Sequence, residues 1–172
     1  MRLFIAINFN NEMKSALIEA QNQLYDAGVR GNYSSEENLH LTLAFIGEFP
    51  DPDQVLDIME SAQFTPFELT LDGLGCFGDN WWAGLAGSVP LQAVARRLRR
   101  ALADNGIPYD RKPFRPHITL LRKARAEHGM PPVEIPAASM QIKTISLMRS
   151  DRGRSGMIYT ELGTIEAQEC GR

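Results

Sequence analysis

Two of the three histidines in this 172-residue chain open the same phrase. Residues 40–43 read His-Leu-Thr-Leu, and residues 117–120, 77 positions later, read His-Ile-Thr-Leu. On an extended strand, residues i and i+2 point the same way. His40 then shares a face with Thr42, and His117 with Thr119, while Leu41, Leu43, Ile118 and Leu120 turn toward a core. Two such faces across a cleft offer two imidazoles and two hydroxyls. The hydroxyls can donate to the two non-bridging oxygens of a phosphodiester. Imidazoles, with an ordinary pKa of about 6.5, can serve as base and acid on opposite sides of the phosphorus near pH 7. Each proton transfer is typically worth roughly 10²–10⁴ in rate, and a strained cyclic phosphate needs little more.

Other chemistries find fewer residues. A zinc site needs three or four ligands at workable spacing, and the one further imidazole is His128, in a Gly/Pro-flanked stretch. No His-x-x-x-His or Cys-x-x-Cys accompanies the repeated phrase, and no Gly-x-Ser-x-Gly elbow presents a serine nucleophile. No metal and no cofactor are expected. Cys76 and Cys170 have neither a disulfide framework nor ligand spacing, which reads as free thiols in a reducing cytoplasm.

The elements that must carry these residues follow from periodicity. RLFIAINF reads as a buried strand. Met13, Ala16, Leu17, Ala20 and Leu24 then recur at helical spacing, with Asn10 or Asn11 as cap and Gly28 at the end. A polar loop leads into the strand ENLHLTLAFIG. Asp51, Pro52 and Gln54 start a helix, with a cap, a proline at the first position and a Gln three residues after the cap. FELTLDGLGCFG and WWAGLAG read as strands, Ser88–Gly106 as a long helix and FRPHITLLR as a strand. Residues 124–136, with three prolines, read as a loop, and SMQIKTISLMRS and MIYTELGTIEA as two closing strands.

A repeat lies in this order. Strand, long helix, His-x-Thr-Leu strand occurs in 1–46 and again in 81–122. The fold expected is α+β: one domain over residues 1–172, bilobal, with duplicated β-α-β lobes and two antiparallel sheets facing a central cleft. Charge is divided between the halves. Residues 1–90 hold 3 Lys/Arg against 13 Asp/Glu, and residues 91–172 hold 15 against 8, for a net −3 overall. The excess suits an anionic ligand approached from the C-terminal half. No apolar run approaches the ~18–20 residues a membrane span needs, and the N-terminus lacks the long apolar region and cleavage site of a signal peptide.

ENLHLTLAFIGE and FRPHITLLR, with RLFIAI before them, LDGLGCFG and WWAGL between them, and RGRSGMIYTEL after them, together resemble the 2H phosphoesterase superfamily. Within it, the chain is similar to the bacterial and archaeal RNA 2′,3′-cyclic phosphodiesterases, also called 2′-5′ RNA ligases. The resemblance implies hydrolysis of RNA 2′,3′-cyclic phosphate ends to 2′-phosphomonoesters without metal, and a minor reverse 2′-5′ ligation. It implies His117 as proton acceptor, His40 as proton donor, and Thr42 and Thr119 as phosphate holders. It also implies that Arg122 binds phosphate or a base, with Phe45 as a base-stacking candidate. Strict alternation puts both of these on the face away from the histidines, so they serve only if the strands end or twist first. Arg152 and Arg154 could add phosphate contacts. The expected partner is RNA with a cyclic phosphate end, acted on in the cytoplasm by a monomer with no obligatory protein partner. A non-catalytic binder of RNA ends, and an enzyme for another substrate such as 2′-5′ oligonucleotides, remain the alternatives.

Overall fold

A computed structural model describes residues 1–169. It is α+β, with two antiparallel sheets. Strand β1 (Arg2–Asn8) runs into helix α1 (Asn11–Asp26), and β2 (Arg30–Tyr33) is followed by a single 3₁₀ turn (Glu36–Asn38) and β3 (His40–Glu48). Helix α2 (Pro52–Ser61), β4 (Phe67–Phe77), β5 (Asn80–Leu85) and helix α3 (Val89–Asp104) come next. The chain closes with β6 (Ile118–Arg125), β7 (Ser139–Ile142), β8 (Thr144–Gly153) and β9 (Gly156–Glu166). One sheet has the order β3-β1-β8-β9, the other β2-β6-β5-β4-β7.

Each helix starts where a side chain satisfies a free backbone N–H. Asn10 Oδ1 accepts from Met13 N at 2.9 Å, Asp51 Oδ1 from Gln54 N at 3.2 Å, and Ser88 Oγ from Leu91 N at 3.2 Å. The repeat is present as β1–α1–β3 and β5–α3–β6. The halves exchange their helices, however. Helix α1, which follows a strand of the first sheet, packs on β6 and β7 of the second, while α3, which follows β5, packs on β3 of the first. A core of Leu41, Leu43, Val94, Leu98, Ile118, Leu120, Leu17 and their neighbours runs through both halves without a break.

Three local expectations change. The polar loop after α1 contains a short strand, β2, which edges the second sheet beside β6. SMQIKTISLMRS is two strands on two sheets: β7 pairs with β4, and after Lys143 β8 pairs with β1. The alternation slips at Lys143–Thr144, two exposed polar residues between buried Ile142 and Ile145, and this slip marks the change of sheet. Strand β6 also runs on to Arg125, two residues into the stretch read as loop. Among the described residues, no helix is long and apolar enough to cross a membrane.

Candidate active site

His40 and His117 line one open cavity of about 1180 Å³, together with Thr42, Thr119 and Arg122. His40 opens β3 and His117 immediately precedes β6, and these two strands are neighbours. Their inward residues Leu41, Leu43, Ile118 and Leu120 are wholly buried.

Both rings are held in the same way. His40 Nδ1 lies 2.7 Å from the carbonyl oxygen of Asn38, and His117 Nδ1 lies 2.6 Å from that of Arg115, each two residues upstream. A carbonyl can only accept, so Nδ1 carries the proton in both, and Nε2 is left as the working atom. His40 Nε2 already meets Thr42 Oγ1 at 2.9 Å. Each ring also leans on two aromatics. Phe4 and Tyr159 stand 5.0 and 5.2 Å from His40, and Phe77 and Trp82 stand 5.1 and 6.0 Å from His117. The Trp82 ring lies flat over Gly75, where an added Cβ would come within 2.3 Å of it.

The parity problem of Phe45 and Arg122 is solved by the strands themselves. On β3, Thr42 opposes Ala6 and Ala44 opposes Ile5, so Leu43 is an extra residue. On β6, Thr119 opposes Trp82 and Leu121 opposes Trp81, so Leu120 is an extra residue. Each is a β-bulge three residues after the histidine, and each resets the alternation. The buried pairs Leu43–Ala44 and Leu120–Leu121 record it. The fifth residue after each histidine thereby returns to the histidine's face, as Phe45 in one half and Arg122 in the other. Arg122 reaches the cavity wall. Phe45 does not line the cavity; it packs with Phe4, Ala6, Met148 and Tyr159 beneath His40, with the Arg2 guanidinium 5.0 Å from its ring centre. Gly31 of β2 allows the close approach beyond the second bulge, since a Cβ there would stand 2.8 Å from the Arg122 carbonyl oxygen.

Further residues complete the wall. The β8–β9 turn contributes Arg154, while Arg152 stays outside the lining; Lys123 adds a second cation beside Arg122. Asn38 Nδ2 donates to Met157 O at 2.8 Å and ties the 3₁₀ turn to this hairpin. Asn80 lines the cavity with a buried side-chain oxygen that has no partner among the described residues. Tyr33 lines it too, but its hydroxyl is spent on Val29 O at 2.9 Å. Arg154 is expected here from the sequence, whereas Lys123, Asn38 and Asn80 are brought in by non-local pairing, for which spacing alone offers no signal. Cys76 is exposed and free, and Cys170 lies outside the described residues.

Burial pushes the His40 imidazole below its ordinary pKa; the Asn38 carbonyl opposes this, and the Arg122 and His117 charges add to it. The folded chain therefore favours neutral His40, and the unfolded chain takes up its proton first as pH falls. This stabilisation is complete above about pH 6.5 and is lost as pH drops through the folded pKa. Between pH 7 and 5, the urea midpoint of the native protein should fall more steeply than that of His40→Asn, which cannot titrate. Parallel slopes would contradict the assignment.

The family model described as the 2′-5′ RNA ligase superfamily matches residues 12–154. The chain belongs to this superfamily. Among 2′-5′ RNA ligase superfamily members, an RNA 2′,3′-cyclic phosphodiesterase of Escherichia coli is 34% identical over 170 residues, covering 94% of this chain and 93% of the relative. One of Geobacillus stearothermophilus is 33% identical over 149 residues, covering 79% of this chain and 47% of the relative. The chain thus spans about half the length of that relative. The crystal structure of E. coli LigT complexed with 3′-AMP superposes with a TM-score of 0.85 at 30% identity, covering 96% of this superfamily member and 97% of LigT. TT0787 of Thermus thermophilus superposes with a TM-score of 0.83 at 32% identity, with 96% and 97% covered.

Proposed function

We infer that this chain hydrolyses RNA 2′,3′-cyclic phosphate ends to 2′-phosphomonoesters, using its own side chains and no metal. The observation that carries the reading is the pair of imidazoles fixed through Nδ1, with Nε2 left to work in one cavity that also holds Thr42, Thr119 and Arg122. The relatives named RNA 2′,3′-cyclic phosphodiesterase support the substrate.

The threonine hydroxyls donate to the two non-bridging oxygens, and Arg122 supplies a positive charge beside them. His117 Nε2, neutral, takes a proton from water as the water oxygen attacks phosphorus in line with O3′. The P–O3′ bond breaks, and His40 Nε2–H gives its proton to O3′. The product has a 2′-phosphate and a free 3′-hydroxyl, and the two rings exchange protons with solvent before the next turnover. The Nδ1 bond of His117 lies in the open and that of His40 is part-buried, which suits a ring that meets water and a ring that meets the leaving group. A 5′-hydroxyl in place of the attacking water opens the ring by the same path: its oxygen bonds to phosphorus, its proton goes to His117 Nε2, P–O3′ breaks, and a 2′-5′ diester is left. A base that reaches Phe45 replaces Arg2 over its ring. Both imidazoles come from one chain, so a monomer suffices. The reaction belongs in the cytoplasm, where an exposed thiol such as Cys76 stays reduced.

The deciding experiment incubates the protein with 2′,3′-cyclic AMP or a cyclic-phosphate-ended oligonucleotide in EDTA and follows phosphorus by NMR. A 2′-phosphomonoester resonance is expected. Unchanged substrate overturns the reading, and tight binding without turnover makes the chain a binder of RNA ends. Turnover of 2′-5′ oligonucleotides alone redirects it to another diester.

A further inference from the structure

A bulge disturbs the strand ladder at its extra residue, and the two extra residues that follow the histidines, Leu43 and Leu120, are each met from behind by a helix. The carbonyl oxygen of Leu43 accepts from Arg99 Nε at 3.0 Å. The carbonyl oxygen of Leu120 accepts from Gln21 Nε2 at 2.9 Å, beside a backbone bond from Ser34 N at 2.9 Å. Leu43 is three residues after His40, and Leu120 is three residues after His117. Gln21 is the eleventh residue of sixteen-residue α1, and Arg99 the eleventh of sixteen-residue α3. An amide and a guanidinium thus reach equivalent carbonyls from equivalent helix positions. The residue types differ, so what the position preserves is a donor aimed at the bulge.

We propose that Gln21 and Arg99 are an equivalent pair of positioning residues, each holding the bulge that keeps its histidine, its threonine and the fifth residue of the strand on one face. Gln21 is 7% exposed, and a buried amide costs stability unless it is bonded. Its Nε2 is bonded twice, to Leu120 O and to Ser34 O, each at 2.9 Å. Ser34 Oγ in turn donates to Thr119 O at 3.1 Å, so one amide fixes both sides of the backbone beneath Thr119. Arg99 reaches further. Its Nη1 donates to Lys112 O at 2.7 Å, and its guanidinium lies 5.4 Å from the Phe114 ring centre. It ties the first bulge to the segment that leads into His117.

The inference rests on the proposed hydrolysis for its kinetic arm and on geometry alone for its structural arm. Gln21→Met and Arg99→Met keep length and helix compatibility and remove the donors. Measured where circular dichroism shows both folded, each should lose kcat on the cyclic phosphate by roughly 10–10²-fold with little change in KM, the cost of misplacing reacting groups by about 1 Å. Arg99→Lys, which keeps a donor, should recover most of the loss. Met variants that are merely less heat-stable, with kcat within about twofold of native, overturn the proposal. If the native chain shows no turnover, the reading of function fails separately. Crystal structures of Gln21→Met and Arg99→Met then decide: the Leu120–Leu121 or Leu43–Ala44 bulge should migrate and take Arg122 or Phe45 off the histidine face, whereas unchanged registers in both refute it. Should Q21M not fold, the Arg99→Met and Arg99→Lys pair carries both arms.

Discussion

Replacing His117 or His40 by alanine should each lower kcat on a 2′,3′-cyclic phosphate by roughly 10²–10⁴, the usual worth of one positioned proton transfer. The fold should survive, because both rings stand at the cavity surface rather than in the leucine core. The two losses can be told apart by changing the leaving atom. With sulfur in place of O3′, the departing thiolate needs no proton. His40→Ala should then regain most of its rate, while His117→Ala, which cannot activate water, should not. Rescue of His117→Ala alone would exchange the roles. The exchange is a genuine physical alternative, because the depressed pKa leaves His40 neutral in the free protein. An acid role requires the bound phosphate anion to recharge it, since a nearby negative charge favours imidazolium. The pH profile of kcat/KM should be a bell, and its falling limb should move to higher pH in kcat, where substrate is bound.

Arg122→Ala should weaken kcat/KM about tenfold, the lower end of what a charge-assisted hydrogen bond contributes, because the side chain is exposed to solvent. It should do a second thing that a simple loss of affinity would not. Arg122 is one of the charges that oppose protonation of His40. Removing it should raise the His40 pKa in the free protein, readable from the ring proton shift by NMR. Arg122→Lys should keep that pKa near the native value, but bind phosphate less well because ammonium lacks the guanidinium fork. An unmoved His40 titration in Arg122→Ala would show that the two groups do not communicate.

Much of the chemistry was legible in residue order, since a two-residue period places His40 with Thr42 and His117 with Thr119 whatever surrounds them. The strand–helix–strand repeat was legible for the same reason. Phe45 and Arg122 were not, because the bulges that turn them are a property of paired strands. Leu43–Ala44 and Leu120–Leu121 are two successive apolar residues, a faint trace that reads equally as the end of a strand. The short strand β2 is half polar, with Gly31 at its middle, and is held by β6 rather than by its own propensity. The division of β7 from β8 at Lys143 follows from which neighbour each finds, β4 or β1. Which sheet a helix covers is likewise invisible, since an amphipathic face states that it must be buried and not against what.

The crossing of α1 onto the second sheet and of α3 onto the first limits how such a chain could have arisen by doubling. A free half would leave its own strands uncovered and send its helix outward with nothing beneath it. Two identical halves could close only by swapping helices as a twofold dimer, with one imidazole from each and each bulge anchored by the other's helix. Fusion of the pair into one polypeptide would then have released the two halves to diverge, a glutamine in one and an arginine in the other, while the interlock itself stayed.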